Sequence, residues 1–242
     1  MSAFAHPEAF VALLTLTAME IVLGIDNVVF ISILVGRLPA DRQERLRRTG
    51  LLLALVMRIG LLLGIEWIMG LTEPVVSALG HGFSGRDLIL LAGGAFLVAK
   101  STREIHHAVE HDEAVPTAAA AGAAAATILV QIVLVDVVFS LDSVITAVGM
   151  VDEVPIMIVA MLLAVAAMMV FAGPIGGFVH RHPTVKVLAL AFLILIGVML
   201  VAEGLGQHVS KGYIYFAMAF SLVVEMLNLR ARARRAAASA SA

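Results

Sequence analysis

Cysteine is absent from the sequence, which excludes disulfides and thiolate metal sites. Charge is scarce as well. Asp, Glu, Lys and Arg make up 14% of the 242 residues, against about 25% in an ordinary soluble domain. The net charge of −2 leaves no basic excess for a nucleic-acid partner. Nucleotide-binding and zinc-protease motifs and nucleophile constellations are all missing, which argues against ATP as a direct energy source and against an enzyme. What the chain has in abundance is apolar side chain, 61% of all residues, with a mean hydropathy of +1.03. A soluble fold of this length has no interior large enough to hide that much apolar surface, so the excess must face a lipid bilayer.

Seven apolar stretches stand out, approximately Phe10–Val35, Leu46–Gly70, Leu88–Thr102, Ala124–Met150, Pro155–Phe178, Val187–Leu205 and Tyr213–Leu229. The third is short for a span unless it continues toward His106. The residues before Phe10 hold no Lys or Arg and the first stretch holds two acids, so it reads as a retained helix rather than a cleaved signal. Lys and Arg then set the direction, because basic loops stay in the cytoplasm. Arg37, Arg42, Arg45, Arg47, Arg48, Lys100, Arg103, Arg181, Lys186 and the four arginines from Arg230 to Arg235 fall in alternate loops. The other side has only Arg86 and Lys211, and Arg58 lies inside a span. Thirteen against two places the N-terminus outside and the C-terminus in the cytoplasm. Residues 110–127 read as a connector, and Ala236–Ala242 as a disordered tail.

The chain repeats itself. Glu20-Ile-Val-Leu-Gly24-Ile-Asp26-Asn27 in the first span matches Asp136-Val-Val-Phe-Ser140-Leu-Asp142-Ser143 in the fourth. Gly94-Ala-Phe-Leu-Val-Ala-Lys100 in the third matches Gly197-Val-Met-Leu-Val-Ala-Glu203 in the sixth, at four of seven positions. Two blocks in the same order predict an all-α membrane fold: a three-helix unit over about 10–110, its repeat over about 120–208, and an added helix at 213–229. An odd-numbered unit repeated in tandem inverts in the membrane, an arrangement that puts transporter sites near the midplane where the repeats meet.

Four acids, Glu20, Asp26, Asp136 and Asp142, fall within apolar spans. Each ionised acid at mid-membrane costs roughly 2.5–3.5 kcal/mol on insertion scales. Arg58 is the one clearly intramembrane base and Lys100 sits nearer an edge, so either protons or a bound cation must offset the remainder. At about 100° per residue, Glu20 and Asn27 share a stripe, as do Asp136, Ser140 and Ser143. Asp26 and Asp142 point roughly 120° away from the acids six residues earlier. A helix break at Gly24 would let Glu20 and Asp26 reach one ion and free carbonyl ligands, and Ser140 could bend the fourth span or act as a ligand. Oxygen donors of these kinds suit hard divalent ions such as Mn²⁺, Mg²⁺ or Ca²⁺. The candidate metal ligands are Glu20, Asp26, Asn27, Asp136, Ser140, Asp142 and Ser143, with Gly24, Arg58, Lys100 and Glu203 as accessories. The alternatives are structural: acids as hydrogen-bond partners, Arg58 as a helix clamp, Glu66 and Glu225 as helix-end residues. A stripe of Met157, Met161 and Met168 is either packing or a Cu(I) path. The group His106, His107, His111, Asp112 and Glu113 is either a solvated loop or a metal-collecting one.

The motif stretches that begin at Glu20 and Asp136 resemble the two signature motifs of the TerC family of integral membrane proteins. Lys100-Ser-Thr-Arg-Glu-Ile-His106 and Lys211-Gly-Tyr-Ile-Tyr-Phe-Ala-Met218 are similar to that family too, in particular to its short bacterial members. The resemblance runs from about Leu14 to Leu229. It implies a seven-helix bacterial inner-membrane protein that exports manganese or a similar divalent metal, with that ion as substrate and no bound cofactor. It also implies a second possibility, a membrane anchor or scaffold in tellurite or stress resistance. Proton antiport would follow if the acids take up protons once the metal has left.

Overall fold

The computed structural model describes residues 7–78, 81–110, 120–150, 153–207 and 210–240, and omits the side chains of Asp142 and residues 145–150, among others. Helices dominate: α1 (Pro7–Val35), α2 (Ala40–Leu63), α3 (Ile65–Gly70), α4 (Gly85–Glu110), α5 (Ala120–Met150), α6 (Val154–Arg181), α7 (Pro183–Gly204) and α8 (Lys211–Ala240). Segments of α1, α5, α6, α7 and α8 are long and apolar enough to cross a membrane. Helices α2 and α4 fall short of that measure because every eighteen-residue stretch of either carries at least three charged side chains. Large apolar side chains stand exposed around the outside, among them Leu14, Val56, Val170 and Phe216, as a surface in contact with lipid tails requires.

Several boundaries differ from the sequence reading. The second apolar stretch is two helices, interrupted at Gly64. The third is longer than its apolar part and continues to Glu110. Part of the expected connector is helix, since α5 begins at Ala120. Helix α8 runs on through the arginines to Ala240, into a stretch read as disordered; alanine, the strongest helix former, dominates there. A small antiparallel hairpin, β1 (Pro74–Ala78) and β2 (His81–Ser84), joins α3 to α4. The hairpin falls between the second and third apolar stretches, where the sequence alone suggests no element.

Pairing between helices follows a pattern. The most extensive contacts join α4 to α7, α1 to α6 and α2 to α5, followed by α2 with α6; α4 also touches α5, and α1 touches α7. These six pairings are unchanged when α1 is exchanged with α5, α2 with α6, and α4 with α7, whereas the α1–α2 and α6–α7 contacts have no comparable counterpart among the described residues. The α4–α7 contact has a direct cause in sequence. A Cβ on Gly94 would stand 2.6 Å from the Gly197 carbonyl oxygen, and one on Gly197 would stand 2.9 Å from that of Gly94. Paired glycines let the two backbones touch, a standard way for helices to pack in lipid.

The ends of the bundle differ. Arg37 pairs with Glu104, His180 Nε2 lies 3.2 Å from the Ser32 carbonyl oxygen, and Thr184 donates to Glu225. These contacts gather the α1–α2 loop and the ends of α4, α6 and α7 at one arginine-rich end. Two buried apolar clusters fill the interior. The smaller takes Leu16, Leu62, Leu141 and Met161, and the larger takes Val28, Leu51, Val138 and Ala164. On α1 and α2 a polar layer lies between the two.

Candidate functional site

That layer is built on Glu20 of α1, Arg58 of α2 and Asp136 of α5, with exposures of 4%, 2% and 2%. The Arg58 guanidinium bridges the two acids. Nη1 donates to Glu20 Oε2, while Nη2 and Nε donate to Asp136 Oδ1 at 3.2 and 3.3 Å. Asn27 Nδ2 donates to the same oxygen at 3.1 Å, and Ser140 Oγ donates to Asp136 Oδ2 at 3.1 Å. A buried arginine can hold two carboxylates at once because its donors form a rigid planar fork. One cation against two carboxylates leaves this set one negative charge in excess if both acids are ionised. Nearby, Asn27 is 5% exposed and its Oδ1 has no hydrogen-bond partner among the described residues. A buried carbonyl-type oxygen left unpaired calls for an explanation, and an oxygen-seeking cation supplies one.

Helical spacing accounts for this convergence. Glu20 and Asn27 lie seven residues apart, nearly eclipsed on one stripe of α1. Asp136 and Ser140 lie one turn apart on α5. Asp26 behaves differently. It is half-buried and faces two cavities away from Glu20. One is an apolar space of about 160 Å³ between α1, α6, α7 and α8, in which Asp26 is the acidic wall. The other holds about 30 Å³ and is lined by Asp26, Arg58, Ser143, Phe139 and Tyr215, with apolar neighbours.

The break expected at Gly24 is not there. Helix α1 is continuous from Pro7 to Val35, so Glu20 and Asp26 keep their angular separation and do not reach one ion. Gly24 serves a packing purpose, because a Cβ there would stand 2.4 Å from the Met168 sulfur. Helix α5 likewise runs unbroken through Ser140, from Ala120 to Met150. The Ser140 hydroxyl is engaged with Asp136, and Ser143 Oγ donates to the Ser140 carbonyl at 3.3 Å. The Asp142 side chain lies outside the described residues. Among those described, no three His, Asp or Glu side chains converge.

Lys100 and Glu203 occupy opposite ends of the antiparallel α4–α7 pair. Each lies six residues beyond its crossing glycine, about 9 Å along its helix, so they do not share a site. Lys100 Nζ binds Glu104 Oε1 at 2.8 Å, and Arg37 takes the other oxygen. The sequence reading gave Glu104 no role although it is 1% exposed. The signal was the Lys100–Glu104 spacing of four, which puts opposite charges on adjacent turns. Met157, Met161 and Met168 are packed in the apolar clusters. His106 pairs with Glu110 at the surface, and His111, Asp112 and Glu113 lie outside the described residues.

The family model for the integral membrane protein TerC family matches residues 5–239. The chain belongs to the TerC family. An UPF0053 protein of Haemophilus influenzae is 54% identical over 228 residues, covering 94% of this TerC chain and 96% of that protein. The UPF0053 inner membrane protein YgdQ of Escherichia coli is 51% identical over 224 residues, covering 92% and 93%. The UPF0053 inner membrane protein YoaE of Escherichia coli is 48% identical over 226 residues, which cover 93% of this chain and 44% of YoaE, so the TerC chain spans less than half of that relative. No solved structure matches the chain. With five helices of spanning length and apolarity among the described residues, and relatives named as inner membrane proteins, this TerC protein is a multi-pass inner-membrane protein.

Proposed function

We propose that this TerC protein is a secondary transporter that exports a divalent cation, manganese foremost, from the cytoplasm by proton antiport. The observation that carries this reading is the meeting of Glu20 and Asp136. They hold the same place in two matching motifs, come from different helices, and are buried together beside the unpaired Asn27 Oδ1. Carboxylate and amide oxygens are the donors a hard divalent ion prefers. Such an ion would supply the positive charge that the Glu20–Arg58–Asp136 set lacks.

The proposal includes seven spans in an inverted three-plus-three arrangement, with α8 added. The exchange relation among the principal helix contacts supports it, as do the glycine pair at the α4–α7 crossing and the burial of Glu20 and Asp136. In that arrangement α2 and α4 span the membrane despite their charges because Arg58 is paired with Glu20 and Asp136, and the remaining charges sit toward the ends of the two helices. The arginine-rich end faces the cytoplasm. Proton coupling resides in the acids that Arg58 does not hold, Asp26 first among those described. No enzymatic step is part of the proposal.

Proteoliposomes test the function directly. Mn²⁺ should cross membranes containing the wild-type protein faster than protein-free membranes, and a pH gradient should change the rate. A panel of Mn²⁺, Mg²⁺, Ca²⁺ and Zn²⁺ would fix the selectivity. Equal fluxes with and without protein for every ion would end the transporter reading.

A further inference from the structure

We infer that Arg58 is a tethered counter-cation that occupies the ion's place: Glu20 and Asp136 hold either the guanidinium or a divalent cation, and Arg58 must leave both acids for the ion to bind. The inference rests on the cation-site reading above and assigns Arg58 a role within it.

Geometry and charge lead to it together. Arg58 presents three of its nitrogens to the two acids, and all three residues are almost fully enclosed. Asp136 Oδ1 alone accepts from Nε, from Nη2 and from Asn27 Nδ2. An ion approaching that oxygen meets a filled coordination position. A guanidinium and a divalent cation both bearing on one carboxylate oxygen in a low-dielectric interior would repel strongly. The two states are therefore exclusive.

The structure also provides somewhere for the contest to occur. The cavity of about 30 Å³ has Arg58, Asp26 and Ser143 in its wall, roughly the room of one water or one small ion. A cation held there by Asp26 stands beside the guanidinium that blocks the inner acids. When it moves in, the guanidinium retreats toward the cavity, where the Asp26 carboxylate is available to receive it. Every buried charge then has an opposite neighbour at each stage, which avoids the large penalty of an unpaired buried ion. The return of Arg58 to Glu20 and Asp136 expels the metal. Arg58 thus sets both affinity and release, and it is a positioning residue for transport, not a ligand.

The experiment compares Arg58→Gln and Arg58→Lys with wild type, each purified into nanodiscs, with Mn²⁺ as the probe. Arg58→Gln should bind Mn²⁺ about tenfold tighter or more, because the internal competitor is gone. It should melt at a lower temperature than wild type without metal and gain more from added Mn²⁺. In proteoliposomes it should transport more slowly, since nothing displaces the bound ion. Arg58→Lys keeps the charge but cannot bridge two carboxylates with a planar fork, so its affinity should fall between the two. If Arg58→Gln cannot be purified, tighter binding by Arg58→Lys decides the matter. Wild-type or weaker affinity in the folded variants overturns the inference and leaves Arg58 as a helix clamp. Absence of Mn²⁺ binding in wild type and both variants overturns the cation-site reading as well.

Discussion

Asp136 accepts hydrogen bonds from Asn27, Ser140 and two nitrogens of Arg58, whereas Asp26 has no hydrogen bond or ion pair among the described residues. The same substitution at the two positions should therefore have different consequences. Asp136→Asn keeps the volume but removes half of Arg58's counter-charge, and loss of one partner in a buried pair costs about 3–5 kcal/mol. We expect a clearly lower melting temperature and Mn²⁺ transport at background. Asp26→Asn removes a half-buried charge with no partner among the described residues, so stability should change by less than about 1 kcal/mol. Its transport should nevertheless fall to background. Melting curves and proteoliposome flux on the same preparations separate the two effects. Wild-type flux from Asp26→Asn would make Asp26 a bystander and move proton coupling elsewhere.

Between elements, the contact most open to test is the α4–α7 crossing. The atom facing each glycine is backbone, so an added side chain cannot be accommodated by a rotamer change. Gly94→Val or Gly197→Val should force the helices apart and cost about 1–3 kcal/mol or more. A thermal melt in detergent checks this, and a melt like wild type would show that the close approach is not needed. At the arginine-rich end, Glu104 ties the α1–α2 loop to α4 through Arg37 and Lys100. Both bases are partly exposed and can turn to water, so Glu104→Gln should cost about 1–3 kcal/mol, read in the same melt. Less transport loss than for Asp136→Asn would accord with a structural tie away from the ion path.

For the whole molecule, orientation and coupling are the open measurements. The excess of Lys and Arg on alternate loops predicts that the end of α8 lies in the cytoplasm. A tag after Ala242 should stay hidden in intact cells, and labelling without permeabilisation would reverse the orientation. Antiport predicts that inverted vesicles with an acidic lumen take up Mn²⁺ faster than vesicles without a gradient. It also predicts that Mn²⁺ binding to purified protein releases protons. Equal uptake under both conditions with no proton release would exclude coupling to protons. The sequence by itself determined that this chain is a membrane protein of the TerC family with paired acids at Glu20 and Asp136, because hydropathy and motif repetition are local properties of the chain. It also determined the eclipse of Glu20 with Asn27, since seven residues nearly complete two helical turns. Only the tertiary structure decided that Arg58 sits between the two acids, and that Asp26 faces two cavities that neither acid lines. It alone showed that Gly24 makes room for Met168 instead of breaking α1, and that Glu104 is buried. Each of these depends on which helix packs against which, and the sequence near Glu20 holds no record of the side chains that α2, α5 and α6 bring to it.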